Sequence, residues 1–224
     1  MTYAVKELFY TLQGEGINAG RAAVFCRFAG CNLWSGRAAD RPHSACPFCD
    51  TDFVGTEGEG GGKFSTPEPL AQAVAQCWQA ATGAGPGAGS AFGARPLVVL
   101  TGGEPLLQVD EPLIAALQSR GFEVAVETNG TQPVPAGIDW VCVSPKAGTD
   151  WVQLAGHELK LVFPQPGLLP AVVEARNDLQ FRHWLLQPMD GPEVAAHTRA
   201  ALDYCRAHPR WRLSLQWHKQ LGIP

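Results

Sequence analysis

Three cysteines stand where they can act together. Cys46-Pro-Phe-Cys49 is a Cys-x-x-Cys pair, a spacing at which two thiolates reach one metal ion or one cluster. Cys31 precedes it, with fourteen residues between Cys31 and Cys46. A structural zinc needs four ligands. The fourth would be His43, in the polar stretch RAADRPHSA, or Cys26, inside the apolar run Val24–Phe28. A redox dithiol would need a thioredoxin-like context, and none surrounds the pair. Three thiolates on a 4Fe-4S cluster leave one iron open for a substrate or cofactor. The cysteines alone leave zinc, an iron–sulfur cluster and no metal as open readings. Cys77, Cys142 and Cys205 lie in apolar segments and read as core thiols. His157, His183, His197 and His208 have no ligand spacing.

A second group follows an apolar run. Leu97–Leu100 leads into Thr101-Gly102-Gly103-Glu104-Pro105. Glycines after a strand let a ligand approach the backbone, and Glu104 offers a carboxylate to an ammonium group. Beside a three-cysteine cluster this segment points to a bound cofactor.

The elements that must hold these residues can be read from the pattern. Val24–Phe28, Leu97–Thr101, Phe122–Glu127, Val141–Ser144, Leu159–Phe163, Trp184–Gln187 and Arg212–Gln216 read as strands, several of them apolar throughout. Between them lie helical patterns. One covers Thr66–Thr82, with Ser65 and Glu68 as a capping box and Leu70, Val74, Cys77 and Trp78 on one face. Others cover Asp110–Arg120, capped by Asp110 and stopped by Gly121, Leu168–Arg176 and Pro192–Ala207. Apolar strands alternating with amphipathic helices predict an α/β fold with a parallel sheet. Six or seven strands fall short of a closed eight-strand barrel, so the expectation is a single domain over 1–224 built as a partial, open (β/α) barrel. In such a fold the chemistry sits at the C-terminal ends of the strands. That rule selects Arg27, Glu127, Ser144, Lys146 and Gln187. Two Gly-rich stretches, Gly55–Lys63 and Gly83–Ala94, lack the Gly-Lys-Ser/Thr ending of a phosphate-binding loop and are expected to be flexible loops.

Composition bounds the rest. The 224 residues are 46% hydrophobic and 17% charged, which excludes a disordered chain. A net charge of −4 without a Lys/Arg block argues against a nucleic-acid partner. No apolar run reaches the ~18 residues of a membrane span, and the N-terminal residues lack a secretory pattern, so the expected compartment is the cytoplasm.

With these residues in place, the sequence resembles the radical S-adenosylmethionine (SAM) enzymes. Their marks are three cysteines holding a 4Fe-4S cluster, an aromatic residue before the last, here Phe48, and a Gly-Gly-Glu-Pro segment. The cysteine spacing departs from the usual three and then two intervening residues: Ser35 stands where the second cysteine is expected, and Cys46 must replace it after an inserted loop. Glu7–Gly16 (ELFYTLQGEG), Phe25–Leu33 (FCRFAGCNL), Cys49–Phe53 (CDTDF), Glu127–Gly130, Val143–Lys146 and Glu158–Lys160 are similar to 7-carboxy-7-deazaguanine synthases.

That resemblance implies a lyase that converts 6-carboxy-5,6,7,8-tetrahydropterin to 7-carboxy-7-deazaguanine with loss of ammonia, in queuosine and 7-deazapurine biosynthesis. It implies that Cys31, Cys46 and Cys49 hold the cluster, whose reductive cleavage of SAM yields a 5′-deoxyadenosyl radical. Phe48, Gly102, Gly103, Glu104, Glu127, Ser144, Lys146 and Gln187 would bind SAM, with Glu104 on its ammonium group. Gln13, Gly14, Glu15, Arg27, Thr101 and Gly102 would bind the pterin, Arg27 taking its carboxylate; Asn129 and Thr128 would line the same pocket. It further implies Mg2+ on Thr51, with Asp50 second, a flavodoxin or ferredoxin as electron donor, and a homodimer. The apolar C-terminal stretch Trp217–Pro224 is expected to dock near the site and to bring His218 or Pro224 to the ligands. Two other readings stand beside this one: a different radical SAM enzyme, such as an activase of glycyl-radical enzymes, and a non-catalytic zinc protein.

Overall fold

A computed structural model describes residues 2–86 and 95–224. The second Gly-rich stretch therefore falls largely outside the described residues. The chain forms one nine-stranded sheet in the order β3-β1-β2-β4-β5-β6-β7-β8-β9. The strands are β1 (Tyr3–Leu12), β2 (Ala22–Phe28), β3 (Gly62–Phe64), β4 (Leu97–Gly102), β5 (Glu123–Thr128), β6 (Trp140–Val143), β7 (Ala155–Phe163), β8 (Gln180–Pro188) and β9 (Trp211–Leu213). From β2 to β9 every neighbouring pair is parallel. β4 is laid beside β2, and from β5 onward each new strand is laid beside the one before it, the winding that curls a sheet toward a barrel. The two edges do not pair with each other, so the barrel stays open.

The helices are α1 (Pro67–Thr82), α2 (Glu111–Ser119), α3 (Pro170–Glu174), α4 (Val194–Ala207) and α5 (Trp217–Leu221). Asp110 caps α2 by accepting from the Leu113 N–H, as its sequence predicts. α1 departs from expectation: Thr66, not Ser65, holds the N-cap position, and its side chain makes no capping bond. Pro67 opens the helix instead, where a missing N–H costs nothing.

Two strands escape the sequence reading. β1 is antiparallel to β2, and β3 is antiparallel to β1. β3 begins inside the stretch Gly55–Lys63, which is therefore docked on the sheet and not a free linker. The Leu8 N–H donates to Glu59 O and the Gly58 N–H to Lys6 O. An added Cβ on Gly61 would lie 2.2 Å from Lys6 O, so these glycines permit close backbone packing.

Strand alternation divides the molecule into two sides. Val24, Cys26 and Phe28 of β2, Val98 and Leu100 of β4, and Val124 and Val126 of β5 join the core under α1 and α2. Leu159 and Leu161 of β7 and Trp184 and Leu186 of β8 join a second core with α3 and α4. The alternate residues Ala23, Phe25, Leu97, Val99 and Ala125 form a small cluster on the other, concave side. Because the period is two, the next residues in that register are Arg27, Thr101 and Glu127. They reach the C-terminal ends of their strands facing away from the helices. Among the described residues no helix is long and apolar enough to cross a membrane.

Candidate active site

That register leads into one cavity of about 380 Å³. Arg27, Thr101, Glu127 and Gln187 project into it from β2, β4, β5 and β8, and Ser144 and Lys146 from the turn after β6. Cys31, Cys46, Phe48, Cys49 and Thr51 line it from the loop after β2. Gln13, Gly14 and Glu15 enter from the loop after β1, and His218 and Pro224 from the C-terminal segment. The sequence-predicted residues thus meet at one place, with one exception.

The exception is Glu104. It is fully buried and absent from the cavity wall. Its carboxylate accepts from the Leu106 N–H at 3.0 Å, the Thr128 hydroxyl at 2.8 Å and the Asn129 N–H at 2.7 Å. Burial pushes its carboxyl up, and these three donors oppose the shift. Glu104 therefore braces the turn after β5, and its carboxylate is not open to the cavity. The neighbouring glycines do line the cavity. An added Cβ on Gly103 would lie 2.1 Å from Gly30 O and 2.8 Å from the Cys31 Cβ, so only glycine lets the loop after β4 lie against the cysteine loop.

Cys31, Cys46 and Cys49 share this cavity. All three thiols face the cavity, whereas Cys26 is buried among the residues under the helices and His43 is exposed on a 3-10 turn, Ala38–His43. The two alternative zinc ligands are thus placed elsewhere. Among the described residues, no three His, Cys, Asp or Glu side chains are spaced for a single metal ion. The hydrogen bond from Cys46 lowers the Cys49 thiol to about 6, while the same bond pushes Cys46 up. The shift favours the thiolate of Cys49, and the thiolate is the ligand form. Ser35, in the place of the usual second cysteine, donates to Asp40 at 2.5 Å and opens the inserted loop.

The opposite wall is ionic. Lys160, buried on β7, pairs with Glu15 and lies 3.4 Å from Glu127 Oε1. Gln13 Nε2 donates to the same Glu127 oxygen at 3.1 Å, and the Thr101 hydroxyl to Glu127 Oε2 at 3.3 Å. Burial alone would raise the Glu15 carboxyl, but the Lys160 ammonium overrides it and holds it at about 2. Burial lowers the Lys146 ammonium, which donates to Ser144 O at 2.6 Å and Ser144 Oγ at 2.9 Å. Arg27 is already paired, its Nε donating to Glu7 Oε1 at 2.7 Å. Asp50 is taken by Lys219, which also reaches Asp190 at 2.6 Å.

The loop after β1 and the chain's end complete the wall where the barrel does not close. The Gly16 N–H donates to Ser214 Oγ and the Ile17 N–H to the buried Glu158. The Trp217 N–H donates to Gly14 O, and the Thr11 hydroxyl to Pro224 O at 2.9 Å. Sequence reasoning gave no role to Lys160, Gln216 or Lys219. Lys160 had a signal: Glu158-Leu-Lys160 alternates polar and apolar along β7, and the polar pair takes the side opposite the core-facing Leu159, as Arg27 and Glu127 do on their strands.

An open sheet, parallel from β2 to β9, with a three-cysteine loop and a Gly-Gly turn at its C-terminal ends defines a radical SAM enzyme, with SAM and an iron–sulfur cluster as its cofactors. No family model matches the chain. Among curated proteins it is 61% identical to the 7-carboxy-7-deazaguanine synthase of Bordetella pertussis and 60% identical to that of Caulobacter vibrioides, each over the full length of both chains. It is 31% identical to the one from Synechocystis sp., covering all of this chain and 94% of that protein. The crystal structure of QueE from Escherichia coli superposes with a TM-score of 0.66 at 28% identity, covering 97% of this chain and 95% of that one. The chain belongs to the 7-carboxy-7-deazaguanine synthase family.

Proposed function

We propose that this cavity converts 6-carboxy-5,6,7,8-tetrahydropterin to 7-carboxy-7-deazaguanine with loss of ammonia. One observation carries the reading: a single cavity lined both by Cys31, Cys46 and Cys49 and by Gln13, Glu15 and Arg27. Cys31, Cys46 and Cys49 would hold the 4Fe-4S cluster. Bound there, cluster and SAM would supply radical hydrogen-atom abstraction from the substrate. The residues do the rest by position and exclusion of water.

Glu15, kept ionised by Lys160, accepts from the guanidine-like edge of the pterin, beside the Gln13 amide. Arg27 spends its Nε on Glu7, and its terminal nitrogens meet the pterin carboxylate. Glu127 accepts from the ribose hydroxyls of SAM. Ser144, Lys146 and Gln187 hold the rest of the nucleoside, and Phe48 packs against it. The backbone of Gly102 and Gly103 faces the ammonium group in place of Glu104. Thr51 is the candidate Mg2+ ligand, since Asp50 is neutralised by Lys219. A hard cation there takes oxygen ligands and offsets charge on the substrate carboxylate. His218 and the Pro224 carboxylate complete the substrate end. A flavodoxin or ferredoxin would deliver the electron, the working unit would be a homodimer, and the cytosol, where free thiols stay reduced, would be its compartment.

The test is anaerobic reconstitution with iron and sulfide, then reductant, SAM, Mg2+ and the tetrahydropterin, with products followed by mass. The expected product is 7-carboxy-7-deazaguanine. SAM cleavage without it would send the search to another substrate.

A further inference from the structure

We infer that Arg41, in the loop inserted between Cys31 and Cys46, is a positioning residue that clamps the Cys46–Cys49 turn into its cluster-binding shape. One guanidinium nitrogen, Nη1, donates to Pro47 O at 2.9 Å and to Cys49 O at 2.8 Å. The guanidinium also lies over the buried Trp34 ring, 4.1 Å from its centroid. Trp34 is itself fixed, its Nε1 donating to Arg37 O at 3.1 Å and its ring meeting Phe53 edge-on at 5.6 Å. The Arg41 carbonyl accepts from the Ser44 N–H at 3.2 Å and the Ser44 hydroxyl at 2.8 Å. Both ends of the residue are therefore held.

The turn needs such a clamp. No strand or α-helix includes residues 32–52, and only Trp34 and Cys46 are buried between 32 and 49. Inside the turn, one backbone bond, Cys49 N to Cys46 O at 3.2 Å, draws the two cysteines together. Arg41 gathers the carbonyls of Pro47 and Cys49 from outside. A planar donor that binds two carbonyls while stacked on an aromatic face is a task for arginine, not lysine. The inserted loop thus supplies its own brace for the two thiols that arrive late in the chain, and its cation lies beside the ligand loop.

This inference rests on the cluster reading, and its test needs no substrate. Wild-type protein, Arg41→Ala and Arg41→Lys are reconstituted anaerobically and challenged with a ferrous-iron chelator, with thermal melts in parallel. Groups that hold a ligand in place change metal affinity about tenfold or more when removed. Arg41→Ala should therefore lose iron about tenfold faster, with an altered electron-paramagnetic-resonance signal of the reduced cluster and a nearly unchanged melt. Arg41→Lys should fall between the two. Equal stripping rates and identical signals in all three proteins would overturn the inference. So would Arg41→Lys matching wild type, because charge alone would then suffice. A wild type that holds its cluster but makes no deazaguanine would leave the inference standing and fail only the substrate. A wild type that takes up no cluster would end both.

Discussion

Glu104 shows how a residue's chemistry is decided by what surrounds it. A carboxylate after a Gly-Gly turn is a natural partner for an ammonium group, yet here three protein donors occupy it. Glu104→Gln would turn an NH2 toward one of these donors, leaving a buried group unsatisfied at a cost of about 1–3 kcal/mol. The expected result is a lower melting temperature. An unchanged melt with SAM affinity alone reduced would return the side chain to the ligand. Glu15 makes the opposite case. Its folded value of about 2 lies below its ordinary 4.5, so its contribution to stability is complete above 4.5 and is lost as pH falls through 4.5 toward 2. Glu104 and Glu158 are shifted upward by burial and act with the opposite sign. The difference between wild type and Glu15→Gln isolates the Glu15 part: denaturant melts should show a wild-type advantage at pH 6 that shrinks steadily toward pH 3. A constant difference across that range would mean that Lys160 does not hold Glu15 ionised.

At the scale of elements, the legible parts were those whose pattern has one physical cause. Leu97–Leu100 is apolar at every position because helices cover one side of β4 and Phe25 and Ala125 the other. Asp110 announces α2 because an N-cap is a local bond. β1 and β3 were not legible as strands. β1 carries Lys6 and Glu7 in its middle, and its bulge between Val5 and Glu7 breaks the alternation. β3 lies at the end of a stretch whose glycines suggest mobility but serve close packing. The site residues at strand ends could be read because strand register is local. Of those brought in by the C-terminal segment, His218 and Pro224 could be named, but Gln216 and Lys219 could not, since nothing near them in sequence says that Glu15 and Asp50 lie beside them. The packing account of the glycines can be checked. In Gly61→Ala the new methyl would meet Lys6 O at 2.2 Å and Thr56 O at 2.7 Å, both backbone atoms that cannot swing aside. Overpacking of this kind costs about 1–3 kcal/mol, and a melt should show it. Glycines serving only as a flexible tether would tolerate alanine without loss.

For the molecule as a whole, an open barrel must be closed by something other than a strand. The loop after β1 and the C-terminal helix α5 fill that gap, and the helix is held by few contacts. Gln216 Nε2 donates to Glu15 at 2.9 Å, and Lys219 joins Asp50 of the cysteine loop to Asp190 of the turn after β8. Both Lys219 pairs are partly exposed, at 34%, 42% and 38% for the three side chains. Pairs of that kind contribute about 0–1 kcal/mol and weaken with salt. Lys219→Met should therefore leave the melting temperature nearly unchanged. Its effect should fall on the site, because Asp50 adjoins Cys49, and Lys219, Asp50 and Asp190 all line the cavity. A loosened wall should raise KM for the pterin more than it lowers kcat. Wild-type KM should also climb with sodium chloride more steeply than the variant's, as the two ion pairs are screened. If both proteins respond to salt alike, the clasp is incidental and the C-terminal segment is held by its other bonds: Gln216 Nε2 to Glu15, Trp217 N to Gly14 O, and the Thr11 hydroxyl to Pro224 O. If the wild type responds more steeply, the C-terminal helix closes the cavity through charge, tying the cysteine loop to the turn after β8 by an ionic seam.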